Sequence, residues 1–488
     1  MATTLTFYGG VNEIGGNKIL LRDNDTKIFL DFGMSFSRAN CFFSDFLQPR
    51  KCNGMGDFIE FGLVPDLKGL YRTDFLKQMG RSNESLDFQG LLLSHAHADH
   101  ASYINHLRED LPIFCSEGTY HILKAMNDTG SGSFNDIMDL TRCFETYRNK
   151  NGELSRKNAR THPDLVVSRE FNLFKFGEKL TLDNLEIIPY EVDHSLPGAT
   201  GYIIHTSSGT VVYSGDFRFH GRREKETEAF MQACQEEKPD LLLIEGTRID
   251  DNSSKKEVDV EDEIVQASSK SKGLSICNWS VRDTDRMLSF LNAAKKLDRK
   301  LAISLKQAYL LDELEQIGVK LAPTLDDDSI ELYASRKSWG LIGSGCDGKL
   351  LNEDYDTWER AYLDRAVCYQ ELRANQEKYL FFCSNFDLKD LIDIKPSAQS
   401  VYIKSVCEPF DAEMEIDWER ISNWIKHFDM PITSTHVSGH ASAPQLKRFV
   451  ENTSPKVIIP VHTQNAAGFQ NWHSGIHLLK DAGDSFTL

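Results

Sequence analysis

Leu91-Leu92-Leu93-Ser94-His95-Ala96-His97-Ala98-Asp99-His100 decides the reading of this chain. Gln89–Ser94 has the apolar character of a buried strand. Three histidines and an aspartate follow it within six residues. Four such side chains cannot all enter a core without partners. Neutral imidazole and carboxylate are ligands suited to Zn²⁺ or Mn²⁺. On a loop leaving a strand, His95 and His97 point one way, while Asp99 and His100 turn toward a second position. One loop cannot complete two coordination spheres, so further ligands are expected at other strand ends. Asp193-His194 follows the strand-like run Leu185–Val192, and Asp216 follows the run ending at Ser214.

The rest of the chain narrows what such a site can serve. Its 488 residues carry 55 Lys and Arg against 73 Asp and Glu, a formal charge of −18. A diffuse basic surface for nucleic acid is excluded, and a polyanion must be held locally, where metal ions supply the charge. No window of eighteen uncharged apolar residues exists, so no membrane helix is expected. The N-terminus lacks the order of a signal peptide. Ten cysteines lie between Cys41 and Cys407 without a Cys-x-x-Cys pair, which fits reduced thiols in a cytoplasmic protein rather than a zinc ribbon.

Short strands (Leu5–Tyr8, Lys18–Leu21, Lys27–Asp31) open the chain. Ser35–Glu84 reads as an irregular excursion over the surface, and Asn127–Pro163 as a solvated insertion. After the apolar run Leu241–Glu245 a charged stretch, about 249–270, reads as an inter-domain crossing. Strands Gly273–Cys277, Lys300–Ser304, Tyr379–Cys383 and Ser400–Ile403 then alternate with helical stretches such as Asp285–Lys296 and Asp356–Ala374. Such alternation predicts an α/β sheet with parallel strands. Gly9-Gly10-Val11-Asn12-Glu13-Ile14-Gly15-Gly16-Asn17-Lys18 lacks the Gly-Lys-Ser/Thr of a phosphate loop and reads as a tight loop beside the metal site.

His95-Ala96-His97-Ala98-Asp99-His100 matches the H-x-H-x-D-H signature of the metallo-β-lactamase fold, and His194, Asp216 and Asp31 resemble that family's later ligands and its first aspartate. Leu241–Arg248, with Glu245, is similar to the acidic motif opening the β-CASP branch. Ser438-Gly439-His440 and Pro460-Val461-His462 resemble its next two motifs. Thr435–Ser442, Ile459–Thr463, Arg282–Arg286 and Ser405–Phe410 read like ribonuclease J and its short archaeal relatives. Thr463-Gln464 departs from the Gly-Glu usual in the bacterial enzymes. With 26 residues after His462, no bacterial C-terminal domain is expected.

The resemblance implies an α/β protein. A metallo-β-lactamase αββα sandwich (1–248 and 431–488) carries an inserted β-CASP α/β domain (249–430). It implies two divalent ions, Zn²⁺ foremost with Mn²⁺ or Mg²⁺ as alternatives. His95, His97, His194 and Asp216 would hold one; Asp99, His100, the shared Asp216 and His462 the other. His440 is the expected proton donor, charged and oriented by Glu245, with Asp99 also in the catalytic set. Ser438, Gly439, His436, Asn278, Ser280 and Arg282 are the expected substrate contacts. The implied activity is hydrolysis of single-stranded RNA, 5′→3′ with endonucleolytic cuts alongside. A DNA nuclease of the same group and a small-molecule metallo-hydrolase are the alternatives. No membrane partner is expected, and the oligomeric state is open between monomer and homodimer.

Overall fold

The computed structural model describes residues 2–44, 46–81, 84–130, 136–342, 348–409 and 412–488. Two sheets face each other. The first has seven strands in the order Phe171–Phe174, Ile113–Ser116, Gly90–Leu92, Thr26–Leu30, Lys18–Asp23, Thr4–Gly9 and Ser485–Thr487. The second has six, in the order Leu180–Leu182, Leu185–Glu191, Thr200–Thr206, Gly209–Tyr213, Leu241–Glu245 and Val457–Val461. Successive strand residues point to opposite faces, and the sequence shows which face each serves. Leu241 and Leu243 enter the layer between the sheets with Phe7, Leu30, Leu92 and Ile459. Leu242 and Ile244 turn outward to Phe230, Leu446 and Phe449, on the helices Glu224–Glu237 and Ala443–Thr453. A strand covered on both faces has to be apolar throughout, hence the unbroken Leu241–Ile244 run. In the first sheet Leu92 faces inward, while Leu91 and Leu93 pack outward against Phe58, Phe75, Ile122 and Leu123. The result is an αββα sandwich.

The third sheet runs Ala366–Val367, Ile330–Tyr333, Lys300–Ser304, Tyr379–Phe382, Ser275–Asn278, Val401–Lys404 and Ile432–Ser434. Every pairing in it is parallel. Helices Glu257–Ser269, Thr284–Lys296 and Leu305–Glu315 cover one face and Ala412–His427 the other. Its last strand, Ile432–Ser434, lies just past the expected domain end at residue 430. This sheet is docked on the sandwich through Glu117–Thr129. There Lys124 Nζ and His121 Nδ1 both lie 2.8 Å from Glu313 carboxylate oxygens, and Leu310 and Leu314 join the sandwich's outer core.

Three expectations change. Ser35–Glu84 does not merely cross the surface: Met55, Phe58, Leu70, Tyr71 and Phe75 are buried as the outer layer of the first sheet. Asp356–Ala374 is not one helix. Ala366–Val367 pairs with Leu332–Tyr333 and splits it into Thr357–Arg360, a 3₁₀ turn and Tyr369–Ala374. The Asn127–Pro163 insertion contains the hairpin Thr146–Arg148/Leu154–Arg156, and Asp139–Thr141 pairs with Val166–Ser168; its residues 131–135 lie outside the described residues, as does Phe410. Among the described residues no helix is long and apolar enough to cross a membrane.

Because Leu243 is fully buried between the two sheets, Leu243→Ala is expected to destabilise the protein by about 2–5 kcal/mol. The shift of the urea unfolding midpoint measures this; a midpoint within error of the parent's would refute the packing described.

Candidate metal centre

Six strands of the two facing sheets, Thr26–Leu30, Gly90–Leu92, Leu185–Glu191, Gly209–Tyr213, Leu241–Glu245 and Val457–Val461, run in a common sense within each sheet. The residues just past their carboxyl ends meet at one place. His95 Nε2 lies 2.9 Å and His194 Nε2 3.0 Å from His97 Nδ1. Burial holds all three imidazoles below their ordinary range, and His97, with Arg282 nearby, is pushed down to about 3. Neutral rings with converging nitrogens are the form that ligates metal. Beside them His100 Nε2 is 3.1 Å and His462 Nε2 3.6 Å from Asp216 Oδ2, and Asp99 Oδ2 is 3.1 Å from His462 Nε2. With His440 these residues fall into four overlapping groups, each able to hold an ion: His95–His97–His194, His95–His100–Asp216, Asp99–His100–His462 and Asp216–His440–His462.

Asp216 is 2 % exposed, yet among the described residues neither of its carboxylate oxygens, nor His100 Nε2, has a hydrogen-bond partner. Buried groups of this kind are tolerated when they are paired or coordinate metal. Burial lowers the proton affinity of His100, but Asp216, Asp31 and Asp99 outweigh it and hold the ring well above its usual range. Positive charge is favoured here, as proton or as metal. The donor set fits divalent ions.

Four of the candidate ligands are held from behind. Asp31 Oδ2 is 2.7 Å from His100 Nδ1 and accepts from Ser94 Oγ and Tyr213 OH, so His100 presents Nε2. Thr247 Oγ1 lies 2.7 Å from His462 Nδ1. His194 Nδ1 is 2.6 Å from the Gly439 carbonyl. A Cβ on Gly439 would stand 2.9 Å from the His194 ring, so only glycine allows this approach. Asp99 is gripped through its main chain: its carbonyl accepts from Gly16 N at 3.0 Å and Asn17 N at 3.2 Å. Gly33 has no room for a Cβ beside that carbonyl. The glycine-rich loop is thus the tight loop beside the centre that its sequence suggests. Lys18 ties its end by donating to the Gly16 and Gly33 carbonyls.

Behind the centre, His440 Nδ1 is 3.4 Å from Glu245 Oε1 and 3.8 Å from Asp216 Oδ2. Burial opposes its charging, but those two carboxylates prevail and hold it above its ordinary value. Glu245 is itself fixed by the amides of Thr247 and Ala441. Among the described residues the Ser438 and Gly439 amides have no acceptor.

A cleft of about 710 Å³ opens at the carboxyl ends of the third sheet, against Ile122 and Met126 of the sandwich. Arg282 connects it to the metal loop by donating to the Ala96 carbonyl at 3.0 Å. Its lining holds five cationic side chains, Arg282, Lys306, Arg336, Lys337 and Lys389, against two carboxylates. Lys337 pairs with Glu359 and Arg336 with Asp393, so among the described residues Arg282, Lys306 and Lys389 carry the lining's remaining positive charge. Ser280 is exposed in this cleft, and Phe386, 88 % exposed, stands on its wall. Asn278 lines it too, with its amide nitrogen committed to Cys383 O and Asn385 Oδ1. His436 lies elsewhere: its Nδ1 is 3.1 Å from Arg286 Nη1, inside a buried ion network. Sequence reasoning missed Thr247, Tyr213 and Arg218; Thr247 stands two residues from Glu245 inside a motif already singled out, while the other two carried no local signal.

Residues 64–273 match the Beta-lactamase superfamily domain, and residues 430–472 match the Zn-dependent metallo-hydrolase RNA specificity domain. The chain is a metallo-β-lactamase-fold protein similar to ribonuclease J. It is 22 % identical to Ribonuclease J of Pyrococcus abyssi over 473 residues, covering 93 % of this chain and 88 % of that one. It is 23 % identical over 302 residues to Ribonuclease J 2 of Staphylococcus aureus, covering 60 % of this chain and only 43 % of the relative's length. A crystal structure of a protein of unknown function from Enterococcus faecalis V583 shares the fold over 100 % of both chains, with a TM-score of 0.72 at 23 % identity.

Asp216→Ala is expected to remove at least one metal equivalent and abolish turnover, because this carboxylate faces both histidine groups. Thr247→Val, which leaves every candidate ligand in place, should weaken metal affinity by about 10–100-fold. Metal analysis and competition with a chelator measure both; two tightly bound ions in Asp216→Ala would refute the arrangement.

Proposed function

We propose that this protein is a cytoplasmic metal-dependent ribonuclease that degrades single-stranded RNA 5′→3′, with endonucleolytic cuts as a second mode. The observation that carries the reading is one of placement. A cluster of side chains able to hold metal ions at the sandwich's strand ends adjoins a cleft with more cations than carboxylates in its lining, in a chain that is acidic as a whole. Single strands are held by such combinations of cations tracking the backbone and exposed aromatics under the bases, which Phe386 offers here. Residues 1–248 with 431–488 form the nuclease domain in this reading, and 249–430 the β-CASP domain that closes over it.

His95, His97, His194 and Asp216 would hold one divalent ion, and Asp99, His100, Asp216 and His462 the other, zinc foremost. Such ions supply an acidified water and polarise the phosphodiester when bound. The chain's own groups do the rest. Glu245 keeps the Nδ1 proton of His440 in place, so the opposite nitrogen, Nε2, can deliver a proton to the departing ribose oxygen. The free Ser438 and Gly439 amides seat a phosphate. Arg282 and Ser280 bear on the strand beyond it, and a 5′-monophosphate seated at the turn sets the register for release of mononucleotides.

His440→Ala should retain both ions and lose about a hundred- to ten-thousand-fold in rate; loss of metal, or cleavage at the parent rate, would overturn its role. The end specificity is tested by a time course on RNA and DNA of one sequence, labelled at the 5′ end and carrying a monophosphate or a triphosphate. Mononucleotides should appear first, from monophosphorylated RNA. Long internal fragments appearing equally for both end groups would make the enzyme chiefly an endonuclease, and preferred cleavage of the DNA would remove the ribonuclease reading.

A further inference from the structure

Arg218 follows the candidate ligand Asp216 by two positions and is completely buried. Its guanidinium is the meeting point of four chain segments. Nε donates to Asp193 Oδ1 at 3.3 Å and Nη1 to the Ser438 carbonyl at 3.2 Å. Nη2 donates to Asp285 Oδ2 at 2.7 Å and to the His194 carbonyl at 3.5 Å, and Nη1 lies 3.5 Å from Glu257 Oε2. Asp193 and Ser438 belong to the sandwich side; Asp285 and Glu257 stand on the helices Thr284–Lys296 and Glu257–Ser269 of the third sheet. A second buried cation, Arg286, pairs with Glu257 at 2.7 Å and donates to the Val437 carbonyl at 2.9 Å. His220 Nε2 lies 2.8 Å from the Ser438 carbonyl as well.

These carbonyl contacts fix more than the carbonyls. In a trans peptide unit the N–H points opposite to the C=O. Holding Val437 O and Ser438 O against Arg286 and Arg218 therefore aims the Ser438 and Gly439 N–H groups the other way, out of the ion network. Those are the two amides with no acceptor among the described residues. We propose that Arg218 is a positioning residue: it couples the inserted domain's helices to the Ser438–His440 turn and so aims the amides that seat the substrate phosphate. The inference rests on the ribonuclease reading. Arginine is required because its five donors lie in one rigid plane, and lysine can keep the charge but cannot reach all these acceptors at once.

Removing the cation altogether would leave buried Asp193 without its cationic partner and weaken the charge balance at Asp285 and Glu257, which Arg223 and Arg286 also pair, so the variants are Arg218→Lys and Asp285→Asn. Metal content, thermal midpoint and two activities are measured on the full chain. One substrate is 5′-monophosphorylated single-stranded RNA. The other is bis(p-nitrophenyl) phosphate, a small diester that needs the metal centre but not the turn. Both variants should keep their metals and lose about tenfold or more in kcat/KM on RNA, with a much smaller loss on the small diester. The preference for a 5′-monophosphate over a triphosphate should fade with it. In RNA selectivity the double variant should be little worse than Arg218→Lys alone, because Asp285 reaches the turn through Arg218, while its pair with Arg223 is altered equally in both Asp285→Asn backgrounds. The role is overturned if both activities fall in proportion, if RNA selectivity is unchanged, if the effects simply add, or if neither variant folds. A parent protein that cleaves the small diester but no RNA would instead remove the ribonuclease reading, which keeps the two failures apart.

Discussion

The Asp216 carboxylate is the constraint on which the sandwich depends. It is buried just past the end of Gly209–Tyr213, with neither oxygen hydrogen-bonded among the described residues. Four imidazole nitrogens, of His95, His100, His462 and His440, stand 3.1 to 3.8 Å from its Oδ2. An ionised carboxylate without compensation in such a place costs several kcal/mol, so positive charge has to be brought to it. His440 stands on the turn between Ile432–Ser434 and Ala443–Thr453, while His95, His100 and His462 follow strands of the two facing sheets. A one-residue slip in either would turn core side chains outward and break the convergence, which makes strand register and metal chemistry one requirement. Tyr213 shows the link directly. It closes the strand leading to Asp216, and its hydroxyl reaches across the sandwich to Asp31, the carboxylate that orients His100.

The chain's charge follows the same logic of local placement. A net charge of −18 repels a polyanion at long range, yet cations are concentrated where a strand would have to pass. Carboxylates are used inside the molecule, paired with Arg218, Arg223 and Arg286 between the sandwich and the third sheet. Buried ion pairs add little net stability compared with apolar packing, and their best-attested use is to fix one arrangement. Here the arrangement fixed is the approach of the helices Glu257–Ser269 and Thr284–Lys296 to the turn that carries His440.

Much of the candidate centre was legible because its candidate ligands are either contiguous, as in His95–His100, or sit just past apolar strands, as do His194, Asp216 and His462. The sandwich was legible for a related reason: strands covered on both faces betray themselves as unbroken apolar runs. What stayed hidden was whatever depends on a distant partner. Thr247 matters through His462, Tyr213 through Asp31, and Arg218 through Asp285, and no local pattern announces such pairs. The same holds for secondary structure. Ala366–Val367 lies within a helix-like stretch and is extended because Leu332–Tyr333 offers it a parallel edge. His436 shows the converse, since a histidine near three functional residues is taken up by Arg286 and serves the ion network instead.

Two kinds of seam hold the third sheet to the sandwich, and they have different consequences. At Glu117–Thr129 the contact combines Leu310 and Leu314 in the outer core with the pairs of Lys124 and His121 to the buried Glu313. Apolar contact is non-directional and tolerates small shifts, so this seam can bear the weight of the docking without dictating its angle. At Arg218 and Arg286 the contact is made of planar donors on carbonyls and carboxylates, which depend on direction and weaken steeply as the angle bends. Holding power and precision are thus assigned to separate places. The cleft lies between the third sheet's carboxyl ends and the sandwich, reaching the metal loop through Arg282. Under the proposed reading, a substrate bound there would meet a phosphate seat aimed by the inserted domain and a metal centre aimed by the sandwich.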